Sequence, residues 1–388
     1  MTSAQSSPEL AVALACARVP RDRDIRTACA RPLDWSLLLR LAHGHGLTPL
    51  LYWQLSHCAD IVPPAVLEEL RGRFERNAAR NIALARELHR ILDLLRTRGI
   101  AAIPYKGPAL AQIAYGDLGL RHFIDLDILV RKRDVRPARD LLKTRGYRPR
   151  LSLTTAQESA LLDAHCEYAL QREGDGICVE LHWEIVPPEF GLAEKAWGFW
   201  DIARPVPLLG STILCPPPED LLLILCVHGS KHLWRRIGWV CDVAELVRAH
   251  TDLDWSRAFG RARSLGAERM MRLGLCLAGE LLAAELPAPV EAGLGEDEAT
   301  RVLATRVVQW LTTGSFPPER SLEEARFHAA MRERRRDRIR YWRRMVLTGT
   351  VGDWEALPLP GALFFLYPLL RPFRLAWRHR HALAGRGR

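Results

Sequence analysis

Residues 105–130 read "YKGPALAQIAYGDLGLRHFIDLDILV". The stretch opens on Lys106-Gly107 and closes on two aspartates, Asp125 and Asp127, one residue apart in an apolar run. Successive side chains of a β-strand alternate faces, so Asp125 and Asp127 share one face while Ile124, Leu126 and Ile128 share the other. Two carboxylates that close repel each other unless a cation lies between them. Mg²⁺ takes one or two carboxylates together with substrate phosphates, which is what such a pair offers. A strand end with two solvent-facing aspartates fits the same pattern.

A third acid bears on that choice. In "ICVELHWEI" (177–185) Glu180 lies in an apolar strand, with Val179 and Leu181 on the opposite face. Set beside "DLDIL", this strand would complete a three-carboxylate cluster able to hold two divalent ions, as phosphoryl and nucleotidyl transfer require. Alone, Glu180 reads equally as the outward face of an amphipathic strand. Upstream, "IPYKGPAL" (103–110) is a strand, a glycine turn and a helix start. Gly107 permits a close backbone approach, the helix N-terminus offers free N–H groups to phosphate, and Lys106 adds a mobile cation.

In this order the residues resemble the nucleotidyltransferase fold of the DNA polymerase β superfamily. More closely, "KGPALAQIAYGDLGLRHFIDLDILV" is similar to an uncharacterised bacterial nucleotidyltransferase family with a "KG…L…Y…R…D.DLLV" core, a later "ELHW" and a helical "H…KH" segment. Those appear as Glu180-Leu181-His182-Trp183 and as His228, Lys231 and His232, and the likeness runs from about residue 33 to 250. It implies that Asp125 and Asp127 are the metal-binding pair, Glu180 the third acid and Gly107 the glycine turn. The superfamily's usual Gly-Ser is Lys-Gly here, and the interval from Gly107 to Asp125 is longer than the superfamily norm. Both are features of the closer family, and both bear on how a triphosphate is held.

Other residues keep two readings. Arg121 matches the family's arginine; it either neutralises a phosphate bidentately or pairs with Asp117 or Asp125. Tyr115 reads as packing. His182 shares the face of Glu180, and either contacts the site or a metal or is a strand histidine satisfied by hydrogen bonds. His228 and His232 stand four apart on one helix face with Lys231 beside them. They read as a metal pair or as contacts to nucleotide or acceptor, and Asp242 as a structural partner.

Around this centre the chain organises into four parts. Residues 1–99 read as helical, with "PAVLEELRGRFERNAARNIALARELHRILDLLRTRG" as one long amphipathic helix closed by Gly99. Residues 100–215 alternate strand and helix and include a hairpin around "EGDG", which predicts a small mixed-sheet α/β core. Residues 216–347 are helical, and 348–388 form a tail of prolines and glycines followed by apolar and basic residues. The fold class expected is α+β, a polymerase-β-like domain between helical flanks.

The 388 residues carry 48% hydrophobic and 26% charged side chains, an ordinary globular balance, and a net charge of +10 that favours anionic partners. Nine scattered cysteines without a Cys-x-x-Cys pair read as buried thiols in a reducing compartment. "MTSAQSSPELAVALACARVP" lacks the basic start of a secretory signal, and no apolar run reaches transmembrane length, so a cytoplasmic location is expected. The basic run "MRERRRDRIRYWRRM" (331–345) reads as a solvated helix rather than a nucleic-acid track. The tail "LFFLYPLLRPFRLAWRHRHALAGRGR" has an interfacial composition, but covering the helical core or binding a partner explains it as well.

The function expected is Mg²⁺- or Mn²⁺-dependent transfer of a nucleoside monophosphate from an NTP to a small-molecule, peptide or protein acceptor. Asp125, Asp127 and Glu180 would hold metal, and Lys106, Gly107, Arg121, His182, Lys231 and His232 would face the nucleotide. The rival is a non-catalytic binding or regulatory module that keeps the fold.

Overall fold

The computed structural model describes residues 7–18, 22–190 and 198–384. The secretory-signal reading therefore falls partly on residues outside this range, as do the last four residues of the tail. Four helices, α1 (Pro8–Ala17), α2 (Asp22–Cys29), α3 (Trp35–His45) and α4 (Thr48–Ser56), precede the long α5 (Pro64–Arg96). Pro64 at the first helical position starts α5 where its missing N–H costs nothing.

Next come β1 (Ala102–Pro104), α6 (Gly107–Leu110) running into a π-turn at Ala111–Tyr115, β2 (Asp125–Val130), α7 (Val135–Lys143) and β3 (Tyr147–Pro149). These are followed by α8 (Thr155–Ala164), β4 (Glu167–Arg172), β5 (Cys178–His182), α9 (Phe199–Ile202), and the hairpin β6 (Arg204–Leu208) and β7 (Ser211–Cys215). The central sheet has five strands in the order β1-β2-β5-β4-β3, with β2 and β5 parallel and the other neighbours antiparallel. The α+β class expected from the sequence is the class observed. Strands β3, β6 and β7 and helix α8 are additions the pattern did not indicate; β3 has only three residues, and β6 carries two prolines.

The sheet divides two cores. Leu126, Ile128 and Val130 of β2, Val179 and Leu181 of β5, and Tyr168 and Leu170 of β4 pack on one side with Leu84, Leu88, Ile91 and Leu95 of α5. On the other side Ile103, Tyr105 and Leu129 join the larger helical core. Helix α5 serves both cores, because Leu70 in its first half belongs to the helical one. That helical core is built largely from α10 (Pro218–Lys231), α11 (Ile237–Ala249), α12 (Trp255–Leu265), α13 (Glu268–Leu282), α14 (Ala288–Leu294) and α15 (Glu298–Thr313).

The chain ends in α16 (Leu322–Ala330), α17 (Arg335–Leu347), α18 (Val351–Ala356) and α19 (Tyr367–Ala384). Among the described residues no helix is long and apolar enough to cross a membrane. Arginines of the basic run serve the fold: Arg332 lies between the rings of Phe190 and Tyr341, and Arg334, Arg338 and Arg344 donate to backbone carbonyls. All nine cysteines are free thiols.

The segment between Gly107 and β2 is tied down from two sides. Asn77 of α5 donates to the carbonyls of Gly119 and Arg121 at 2.9 and 3.1 Å, and Asn81 to those of Leu118 and Arg121 at 2.6 and 2.8 Å. From the helical side, Asp242 of α11 accepts a bidentate pair from Arg121 (2.8 and 2.9 Å) and the Tyr115 hydroxyl at 2.9 Å. The structural partner of Arg121 is thus Asp242, not Asp117 or Asp125. Sequence spacing favours near neighbours, whereas this pair spans 121 positions.

Breaking a buried pair leaves an uncompensated charge, which costs about 3–5 kcal/mol. Asp242→Ala is therefore expected to lower the urea-unfolding free energy by that amount. The double variant Arg121→Met/Asp242→Leu should lose less than Asp242→Ala; equal losses would show that the pair carries no such penalty.

Candidate active site

Parallel pairing of β2 and β5 sets Asp125 beside Cys178, Asp127 beside Glu180 and Leu129 beside His182. Paired residues of adjacent strands point to the same face, so Asp125, Asp127, Glu180 and His182 share one face. Antiparallel pairing of β4 with β5 adds Glu167 opposite His182. Four carboxylates from three strands thereby converge at one end of the face whose other apolar residues belong to the helical core.

Lys106 enters from the turn after β1 and places its ammonium 2.5 Å from Asp127 Oδ1. Gly107 adopts φ +56°, and a Cβ there would meet the Asp125 carbonyl at 3.0 Å. Only glycine passes that close over the end of β2 without strain. Arg121 Nη1 also reaches the Gly107 carbonyl at 3.4 Å, so the Asp242-anchored arginine props the turn.

Burial works against the charge of Asp127, but Lys106 and His182 outweigh it and hold that carboxyl well below the usual range. Asp125 lies nearer solvent; burial and then Asp127 push it up to about 6 against the opposing pull of Lys106. Burial likewise opposes the charge on Lys106, and Asp127, Asp125 and Glu180 reverse the effect and raise it. Glu167 is brought down to about 2, with burial opposing and Lys231, 3.7 Å away, and His182 prevailing.

His182 is 3% exposed and lies among these acids. Its Nε2 is 3.3 Å from Asp127 Oδ1 and 3.4 Å from Glu180 Oε2, while Nδ1 is 3.7 Å from Glu167 Oε2. Neither nitrogen makes a hydrogen bond of ordinary length and direction. Ligand atoms of Asp127, Glu180 and His182 all lie within 4.8 Å of one another, as do those of Cys166, Glu167 and His182.

Other sequence candidates lie differently. The rings of His228 and His232 lie tilted at 58° with centroids 4.7 Å apart, and both meet Trp239. Burial is the main cause lowering both, helped by Lys106 and Lys231; His232 falls to about 3. Among the described residues no potential metal cluster includes either of them. The guanidinium of Arg121 is engaged by Asp242 and lines a cavity of about 40 Å³, far below the roughly 300 Å³ of a small ligand pocket. Arg121 Nε and Nη2 are both bonded to Asp242 in this arrangement rather than turned to an open phosphate site. Glu167 is a residue of this site that the sequence pattern does not single out. It shares β4 with residues that alternate apolar and polar, and only the register shows that it faces His182. The weak cue was an acid in "HCEYAL", in the arm of the hairpin that does not hold Glu180.

The five-stranded mixed sheet between helical flanks is consistent with a nucleotidyltransferase domain. The chain belongs to the uncharacterised nucleotidyltransferase family, whose family model matches residues 31–283. Neither the curated proteins nor the solved structures include a match.

Asp125 gives a pH signature in chelator. The folded chain keeps this proton to about pH 6 while the unfolded chain releases it near 3.8, so stability is lost as pH rises through that window. Asp125→Asn is expected to match the wild type near pH 4 and to exceed it by about 1–2 kcal/mol at pH 7, after discounting for partial exposure. Thermal unfolding across that range checks it; a pH-independent difference would refute it.

Proposed function

We propose that this protein transfers a nucleoside monophosphate from an NTP to a small-molecule, peptide or protein acceptor, with Asp125, Asp127 and Glu180 as seats for Mg²⁺ or Mn²⁺. The observation that carries the reading is the register of β2 on β5, which puts Asp127 directly beside Glu180 on the face of Asp125. The residues fit a divalent cation: oxygen donors converge, burial and the neighbouring Asp127 make Asp125 hold its proton tightly, and neither buried nitrogen of His182 makes a hydrogen bond of ordinary geometry. Divalent ions bound there would neutralise charge on the attacking and leaving oxygens.

The chain's own groups divide the remaining work. Lys106, a point charge on a flexible stem, takes the nucleotide phosphates and in doing so leaves Asp127. Gly107 brings the backbone close to the phosphates at a helix start that no side chain caps; Pro108 there contributes no N–H. Arg121 positions that turn rather than touching phosphate. The Asp127 side chain is buried and that of Glu180 is not, so orientation of the acceptor nucleophile falls to the more exposed Glu180. Lys231, with His232 next to it, lies at the Glu167 edge, where an acceptor or nucleotide would be met.

NTPs labelled at the α-phosphate test the assignment directly. Label should pass to an acceptor, and Asp127→Asn should abolish both transfer and Mg²⁺-dependent nucleotide binding. A protein that binds NTP with Mg²⁺ but never transfers label is a binding module, and one that binds neither has lost the reading altogether.

Lys106→Met separates the roles further. Nucleotide affinity should fall about tenfold for one charge-assisted contact, while nucleotide-free Mg²⁺ affinity rises because the ammonium no longer competes for Asp127. Calorimetry measures both, and a fall in both would place Lys106 among structural residues.

A further inference from the structure

We propose that His182 is itself a metal ligand, its Nε2 joining Asp127 and Glu180 in a mixed nitrogen–oxygen site that prefers Mn²⁺ over Mg²⁺, with Glu167 as the positioning residue on Nδ1. The inference rests on the reading above that Asp127 and Glu180 face a divalent ion, and it names which ion and by what further donor.

Distances support it first. Donors about 2.1 Å from one ion stand about 3.0 Å apart at octahedral edges and about 3.4 Å apart at tetrahedral ones. Nε2 lies 3.3 Å from Asp127 Oδ1 and 3.4 Å from Glu180 Oε2, within that span and beyond a good N–H···O bond. Nε2 is shared between these two carboxylates rather than closed on one of them, while Lys106 makes the short contact to the same Asp127 oxygen.

Orientation is the second support. The ring is fixed edge-on against buried Tyr105, with centroids 5.4 Å apart at 81°. Its other nitrogen lies 3.7 Å from Glu167 Oε2, the oxygen that Lys231 also approaches at 3.7 Å. Metal-ligating histidines commonly direct their second N–H at a carboxylate, which sets the tautomer and makes the free nitrogen more basic. The three donors come from two adjacent paired strands and the brace from a third, so backbone ladders set their spacing.

Ligand chemistry then names the ion. An all-oxygen set suits Mg²⁺, whereas an imidazole nitrogen shifts preference along the divalent series, and Mn²⁺ accepts both donor types.

Electron-spin-echo spectroscopy of Mn²⁺ added alone to the full chain reads the nitrogen directly. A ¹⁴N coupling is expected, replaced by a ¹⁵N coupling in protein labelled only at histidine, which requires no variant to fold. His182→Gln should remove the coupling and weaken Mn²⁺ about 10–100-fold while changing Mg²⁺ affinity only a few-fold. Glu167→Gln should keep the coupling and weaken Mn²⁺ about tenfold. Mn²⁺ that depends on Asp127 yet shows no histidine nitrogen overturns this inference and leaves nucleotidyl transfer standing. A coupling that survives in His182→Gln also overturns it, and absence of any Mn²⁺ or Mg²⁺ binding removes both readings.

Discussion

Asp125, Asp127, Glu167 and Glu180 stand on three adjacent strands and meet on one face of a sheet, where their mutual repulsion has to be balanced by something the fold supplies. Lys106 balances part of it at Asp127, and Lys231 part of it at Glu167. Asp125 is left with the deficit, visible in its raised affinity for a proton. A sheet face that gathers four carboxylates is costly as pure architecture, a cost that divalent ions would relieve under the proposed function.

Much of the surrounding structure holds that face in place. Asn77 and Asn81 reach from one turn of α5 to the next and fasten the carbonyls of the segment leading into β2. Arg121 and Tyr115 fasten the same segment to Asp242 in the helical region. Buried polar groups are expensive when unsatisfied, so these contacts specify one path for the chain from the Gly107 turn to Asp125. The long interval between glycine and aspartate is thereby made rigid, and the turn that would receive phosphates is tied to the strand that would hold metal.

Local signals were legible where local physics governs. Alternation of apolar and acidic residues in "DLDILV" and "CVELH" marks both strands and assigns their faces, because a strand's period of two is a property of its own backbone. The EGDG hairpin, the α5 span and the helix after Pro217 are marked in the same way by turn chemistry, proline and helical spacing. Glu167 was not legible as a site residue, and Asp242, legible as a structural residue, was not legible as the partner of Arg121. Nothing in the sequence near Glu167 says that it faces His182, and nothing near Arg121 says that its partner lies 121 positions on.

By itself, then, the sequence determined the α+β class, the strand that carries Asp125 and Asp127, the strand that carries Glu180, and the glycine turn before them, since each depends on propensities and periodicities within a few residues. Tertiary structure decided that β5 lies parallel to β2 in the register that sets Asp127 beside Glu180, that Arg121 belongs to Asp242, and that His182 is enclosed between two sets of carboxylates. Those outcomes follow from packing two cores on either side of one sheet, a long-range balance of burial and charge that no short stretch of sequence records.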